Sequence, residues 1–295
     1  MRRKNVQYKG EMSGGSLVIV TTAAAALMAL AACMATAAEA ESGKQALQIE
    51  GSTTVGPIAE AFAEAFMKAN PNVQITVKMT GSGDGAAALV DGRCQIATMS
   101  RYMKPAEYQK AVEKNIMPCV HTVAMDGVCV VVHPSNPVKA LMRNQLKDIY
   151  TGKTTNWKDV GGPDMPIVVI SRDTSSGTYE VFAEKVLGKD KMSEKVEYVN
   201  ANPQAHARVK STAGAIGYIG LGFLDASVKA VTVDGVMPSR KTIANGVYPI
   251  SRPLFFFTNG YPELGTTLHA FCTFFLTEKG QEIIEAKGFV PLTSY

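Results

Sequence analysis

The sequence predicts an α/β fold, and three observations carry that prediction. Short runs rich in β-branched and aromatic residues alternate with helical patterns from Leu47 to the C-terminus. Gly127 to Val132 is an almost unbroken apolar run, the pattern of a strand buried on both faces. Strand-like runs near 127–133 and 250–258 flank a self-contained middle region, as expected of segments that cross from one lobe to another and back.

Leu47–Glu50 reads as the first strand. Pro57 to Ala69 follows with Ile58, Phe62 and Phe66 at intervals of four, which places them on one helical face, and Pro57 suits a first turn. Val73–Lys78 alternates as a strand, Ala86–Val90 begins a helix, Gln95–Met99 is another strand, and 105–114 is a polar, exposed helix. After Gly127–Val132, Ser135-Asn136-Pro137 breaks the chain. Residues 145–150 form a short helix ended by Gly152, and Asn156–Asp164 is a turn-rich loop holding the single tryptophan, Trp157. Ile167–Ile170 and Ile216–Ile219 read as strands, Thr178–Leu187 as a helix, Leu254–Thr258 as a strand, and 263–287 as two helices.

Arg2, Arg3, Lys4 and Lys9 precede an apolar run from Leu17 to about Ala32, the layout of a secretory leader. Its ending has two readings. Leu30-Ala31-Ala32-Cys33 resembles a lipobox that would put a lipid anchor on Cys33, whereas Ala35-Thr36-Ala37 and Ala38-Glu39-Ala40 resemble ordinary cleavage sites. An exported, extracytoplasmic location follows from either. Loss of the leader removes four bases and Glu11, so the formal charge drops from +4 to about +1 and gives nucleic-acid binding no support. Cys94, Cys119, Cys129 and Cys272 remain, an even number that could form one or two disulfides or stay as buried thiols, at spacings that fit no zinc site.

Three Ser/Thr/Gly clusters stand immediately before predicted helices: Gly51-Ser52-Thr53-Thr54, Gly81-Ser82-Gly83-Asp84-Gly85 and Thr174-Ser175-Ser176-Gly177-Thr178. A helix N-terminus presents unpaired N–H groups and partial positive charge, to which hydroxyls add donors and glycine adds close approach. Each cluster alone is also what helix capping looks like. Together with Arg101 and Arg172, each at a strand end, they point to an anion site, since guanidinium forks match tetrahedral oxyanions. No Gly-Lys-Ser/Thr ending follows the glycine-rich cluster, so it is not a nucleotide P-loop.

Gly51-Ser-Thr-Thr, Gly81-Ser-Gly-Asp-Gly, Ser100-Arg101, Asn156-Trp157-Lys158-Asp159 and Arg172-Asp-Thr-Ser-Ser-Gly-Thr178 resemble, in consistent order from about residue 46, the periplasmic phosphate-binding protein of the phosphate ABC importer. The resemblance implies a type II periplasmic-binding-protein fold whose lobes close on dehydrated phosphate. Lobe 1 would comprise 46–128 plus 254–295 and lobe 2 would comprise 129–253, after a leader of 1–33. It implies phosphate contacts from Thr53, Thr54, Ser82, Arg172, Ser176, Gly177 and Thr178, with Arg101 beside them. It also implies permease subunits as partners, no cofactor, no metal and a monomeric receptor. Some members carry an aspartate where this chain has Arg101, and there it accepts the phosphate proton and excludes sulfate. Asp126, just before the buried run, is the expected substitute, with Asp84 as second choice.

Two other functions are compatible with parts of this pattern. The same fold could take molybdate, tungstate or sulfate, since hydroxyl and N–H donors serve any tetrahedral anion. A serine hydrolase built on Ser176 would need a base, and His121, His133, His206 and His269 fall in no recognisable arrangement. The Gly-x-Ser-x-Gly elbow is missing as well. The chain is therefore expected not to be an enzyme.

Overall fold

The computed structural model describes residues 45–293, so the leader, the Cys33 lipobox and the alternative cleavage sites lie outside the described residues. Strand β1 (Gln45–Gly51), helix α1 (Gly56–Ala69), β2 (Val73–Met79), α2 (Ser82–Val90) and β3 (Ile96–Met99) form the first unit, with β1 parallel to both β2 and β3. Helix α3 (Pro105–Glu113) then leads into β4 (Pro118–Val132). The second unit comprises β5 (Ala140–Leu141), α4 (Arg143–Tyr150), β6 (Val168–Arg172), α5 (Gly177–Phe182), β7 (Glu197–Val199), α6 (Asn202–Ser211) and β8 (Ala215–Gly220). Short β9 (Lys229–Ala230), β10 (Thr232–Val233) and α7 (Arg240–Ala244) follow. The chain returns through β11 (Ser251–Asn259) and ends in α8 (Thr267–Cys272) and α9 (Glu278–Ala286).

The strand order is β2-β1-β3-β11-β4-β8-β6-β7. β4 is the crossover: its residues up to Gly127 pair antiparallel with β11, and from Val128 onward they pair antiparallel with β8. The molecule is thus two α/β lobes joined by crossover strands, as the sequence led one to expect. The Val128–Val132 run is buried on both faces. Val128, Val130 and Val132 pack with Trp157, Phe182 and Tyr218, while Cys129 and Val131 pack with Ile170, Val209 and Ile219. In the first lobe Ile58, Phe62 and Phe66 are buried against Phe256 and Phe271, each contributing about 1.5–3 kcal/mol of burial.

Several elements differ from expectation. β4 begins at Pro118, nine residues before the apolar run, because His121, Thr122 and Asp126 interrupt its hydrophobic pattern. Helix α2 begins at Ser82, so the second cluster is the helix's first turn rather than its approach. Glycine is poor in helices, yet here it is required: a Cβ on Gly85 would stand 2.8 Å from Gly51 Cα. The expected helix to Leu187 is α5 followed by a π-helical turn over Ala183–Leu187. β7, α6 and α7 were not read from the sequence; α6 buries only Asn202, Ala205 and Val209, too sparse a stripe to show as a period. All four cysteines in the described residues are unpaired. Burial pushes the Cys94 and Cys272 thiols up to about 12, which keeps them unreactive.

Candidate anion site between the lobes

The C-terminal ends of β1, β3 and β6 and the N-termini of α1, α2, α5 and α6 converge where the lobes meet. From the first lobe, Gly51 turns the chain with φ +139°, in a space where a Cβ would lie 2.2 Å from Thr98 O. Ser52 Oγ caps the turn by accepting Thr54 N at 3.1 Å. Thr53 and Thr54 are thereby buried facing the second lobe. Ser82, fully buried at the start of α2, accepts Ser100 N at 3.0 Å and lies 3.3 Å from Ser100 Oγ.

From the second lobe, Arg172 ends β6 with 1% of its surface exposed. Its Nη2 donates to Thr53 Oγ1 at 3.1 Å and Asn200 O at 2.6 Å, and its Nε to Val199 O at 3.3 Å. Its Nη1 is buried without a hydrogen-bond partner. Burial pushes the guanidinium down to about 10, still protonated at neutral pH. Asp173 does not pair with it; that carboxylate accepts Ser175 N at 2.8 Å. Tyr218 supports the strand end, its hydroxyl 2.6 Å from Ser171 Oγ and accepting Arg172 N at 3.1 Å. Ser176 Oγ caps α5 by accepting Thr178 N and Tyr179 N at 3.2 and 3.3 Å. A Cβ on Gly177 would stand 2.5 Å from Ser82 Oγ and 2.7 Å from Ser100 Oγ, so only glycine lets α5 meet the first lobe this closely.

The two lobes touch through hydroxyls: Thr54 Oγ1 lies 3.0 Å from Thr178 Oγ1. Asn202, at the start of α6, donates to Thr54 Oγ1 at 2.9 Å and accepts Gly220 N at 3.1 Å. Thr53, Thr54, Ser82, Arg172, Ser176, Gly177 and Thr178 are therefore brought together, as the sequence led one to expect. The result is a buried, donor-rich cluster with one uncommitted guanidinium nitrogen.

Arg101 and Asp126 lie beside this cluster with their charges already engaged. Arg101 forks onto Glu107 at 2.7 and 2.8 Å, and its Nε lies 2.6 Å from Glu180. Asp126 is fully buried; one oxygen accepts Arg252 Nε and Nη2 at 2.9 and 2.7 Å, and the other accepts Leu221 N at 2.9 Å. Burial raises Asp126 above the usual carboxylate range against the opposing pull of Arg252. Asp84 is exposed on α2. Arg252, Asn202 and Glu180 stand outside the motifs read from the sequence, and Ser100 appears there only as part of the Ser100-Arg101 motif, with no role of its own. Arg252 alone carried a signal, as a lone charge at the head of an aromatic strand. It donates to Ser100 O at 3.2 Å and Thr54 Oγ1 at 3.3 Å, directly behind the cluster.

Two α/β lobes, crossover strands and a donor-lined contact between them define the two-lobed binding-protein class. A family model described as a PBP superfamily domain matches residues 36–279. Phosphate-binding protein PstS of Bacillus subtilis (strain 168) is 32% identical over 294 residues, covering 96% of each chain. Its counterpart in Staphylococcus saprophyticus is 36% identical over 92% of this chain and 88% of its own. A Clostridium perfringens phosphate ABC transporter substrate-binding protein, solved with phosphate bound, superposes with a TM-score of 0.78 at 36% identity, over 84% of this chain and 100% of its own. The chain belongs to the PBP superfamily and, within it, to the family of PstS phosphate-binding proteins.

Proposed function

We propose that this protein is an extracytoplasmic receptor that encloses inorganic phosphate between its lobes and delivers it to the permease of an ABC importer. The observation that carries the reading is Arg172 Nη1, a buried cationic donor without a protein partner beside Thr53. A charged donor left unsatisfied costs about 1–3 kcal/mol or more, and a tetrahedral oxyanion supplies the bidentate partner a guanidinium prefers. Thr53, Thr54, Ser82, Ser176, Gly177 and Thr178 supply the remaining donors. Asp126 acts through Arg252, holding that guanidinium against Thr54 rather than taking the phosphate proton itself. The division into 46–128 plus 254–295 and 129–253 belongs to the same reading, supported by the change of partner in β4 at Gly127/Val128. So does a single-chain receptor with a leader over 1–33. Cys33 as a lipid carrier is tested by mass spectrometry of protein extracted from membranes.

One observation favours a second oxyanion. Asp126, the expected proton acceptor, already accepts Arg252 on one oxygen and Leu221 N on the other. Calorimetric titration of refolded, ligand-stripped protein decides between the two. Tight 1:1 phosphate binding, abolished in Arg172→Ala and resistant to excess sulfate, molybdate and tungstate, is the expected result. Heat from one of those competitors and none from phosphate would move the substrate. Silence with all four anions would end the anion-site reading.

A further inference from the structure

We propose that Arg101, Lys104, Glu107 and Glu180 form an inter-lobe latch that sets how long the bound anion is retained, an inference resting on the phosphate reading above. Arg101 follows β3 in the first lobe, 6% exposed, and Glu107 lies on α3 of that same lobe. The Arg101–Glu107 fork at 2.7 and 2.8 Å, with Arg101 Nη1 also donating to Tyr102 O at 2.8 Å, is thus internal to one lobe. Glu180 is on α5 of the other lobe. One Glu180 oxygen lies 2.6 Å from Arg101 Nε and the other 2.9 Å from Lys104 Nζ, both ion pairs by distance without hydrogen-bond geometry. The Arg101 and Glu180 side chains are 6% and 16% exposed, so that pair is shielded from the solvent that weakens surface ion pairs, whereas Lys104 is 50% exposed and its pair is screened.

This division of partners separates a latch from a general structural bridge. When the lobes part, Arg101 keeps Glu107 and Tyr102 O, and Glu180 returns to water, so the open form retains no unpaired buried charge. Within this charged cluster, only the pairs made by Glu180 join the two lobes. An interaction present in one of two conformations adds its whole strength to any ligand that selects that conformation. Glu180 also shares α5 with Gly177 and Thr178, so the latch draws in the same helix end that grips the anion. Two cations and two carboxylates cancel within the cluster, leaving the field of Arg172 to the ligand.

The test is the rate of phosphate release from the full chain, measured by rapid exchange of radiolabelled phosphate, together with melting of the ligand-free form. Glu180→Gln is expected to speed release about tenfold, the usual size of such couplings, while the association rate and ligand-free melting temperature hold. Lys104→Gln, which leaves Arg101 in place, is expected to give a smaller acceleration in the same direction. Release from Glu180→Gln at the wild-type rate overturns the latch and leaves the phosphate reading intact. So does an equal loss of melting temperature with and without phosphate, which would make Glu180 merely structural. A wild-type chain that takes up no phosphate overturns the parent reading and this one together.

Discussion

Arg172 and Arg252 show how two guanidinium groups in one site acquire different work. Arg252 is neutralised by Asp126 at 2.7 Å and reaches the cluster only through Thr54 and Ser100 O. Arg172 has carbonyls and a hydroxyl for neighbours and keeps both its charge and a free N–H. Arg172→Lys retains the charge but loses the planar fork. It is expected to weaken phosphate binding by about 10–100-fold, the worth of one charge-assisted hydrogen bond, read by calorimetry, with little change in fold. Arg172 was legible in the sequence because it abuts the Ser/Thr/Gly cluster it serves. Arg101 was equally visible, but residue type and strand-end position say nothing of Glu107 and Glu180, the two carboxylates that engage it. Asp126 was placed in the right neighbourhood, while the guanidinium that pairs with one of its oxygens lies on a strand 126 residues later.

Among the elements, Ser, Thr and Gly before an apolar period are local signals of a helix end, although α2 starts at Ser82 rather than at Ala86. What no local signal reveals is how near one helix end comes to another. Helix α5 meets Ser82 and Ser100 at Gly177, whose missing side chain makes the approach fit. Alanine is the better helix former, so Gly177→Ala is expected to leave the ligand-free melting temperature unchanged or slightly higher. The same change should lower phosphate affinity at least about tenfold, because its Cβ would hold the lobes apart and a lost polar contact is worth about 1–3 kcal/mol. Equal affinity in calorimetry would mean that the lobes need not approach this closely. The short pieces β7, α6 and α7 stayed hidden because their apolar residues are too few to show a period, yet Asn202 of α6 joins the site.

For the whole molecule, ligand binding and stability should be coupled, since both lobes contribute to one buried cluster. Phosphate at one hundred times its dissociation constant is expected to add about 2.7 kcal/mol to the unfolding free energy, measured as a rise in denaturant midpoint that Arg172→Ala does not show. The alternation of strands and helices, the doubly buried Val128–Val132 run and the amphipathic face of Ile58, Phe62 and Phe66 were determined by the sequence alone. Each of these depends on the period of apolar residues within one segment, and burial follows from that period. The sequence likewise marked three helix ends and Arg172 as a concentration of hydrogen-bond donors, because hydroxyls, glycines and a guanidinium are adjacent along the chain. Only the tertiary structure decided that Arg101 faces Glu180, that Asp126 is spent on Arg252, and that Ser100 and Asn202 join the cluster. Those outcomes depend on which strands become neighbours in the β3-β11-β4-β8-β6 order, and hence on the packing of two lobes. A charge finds its partner in space, and partners far apart along the chain leave no trace in local pattern.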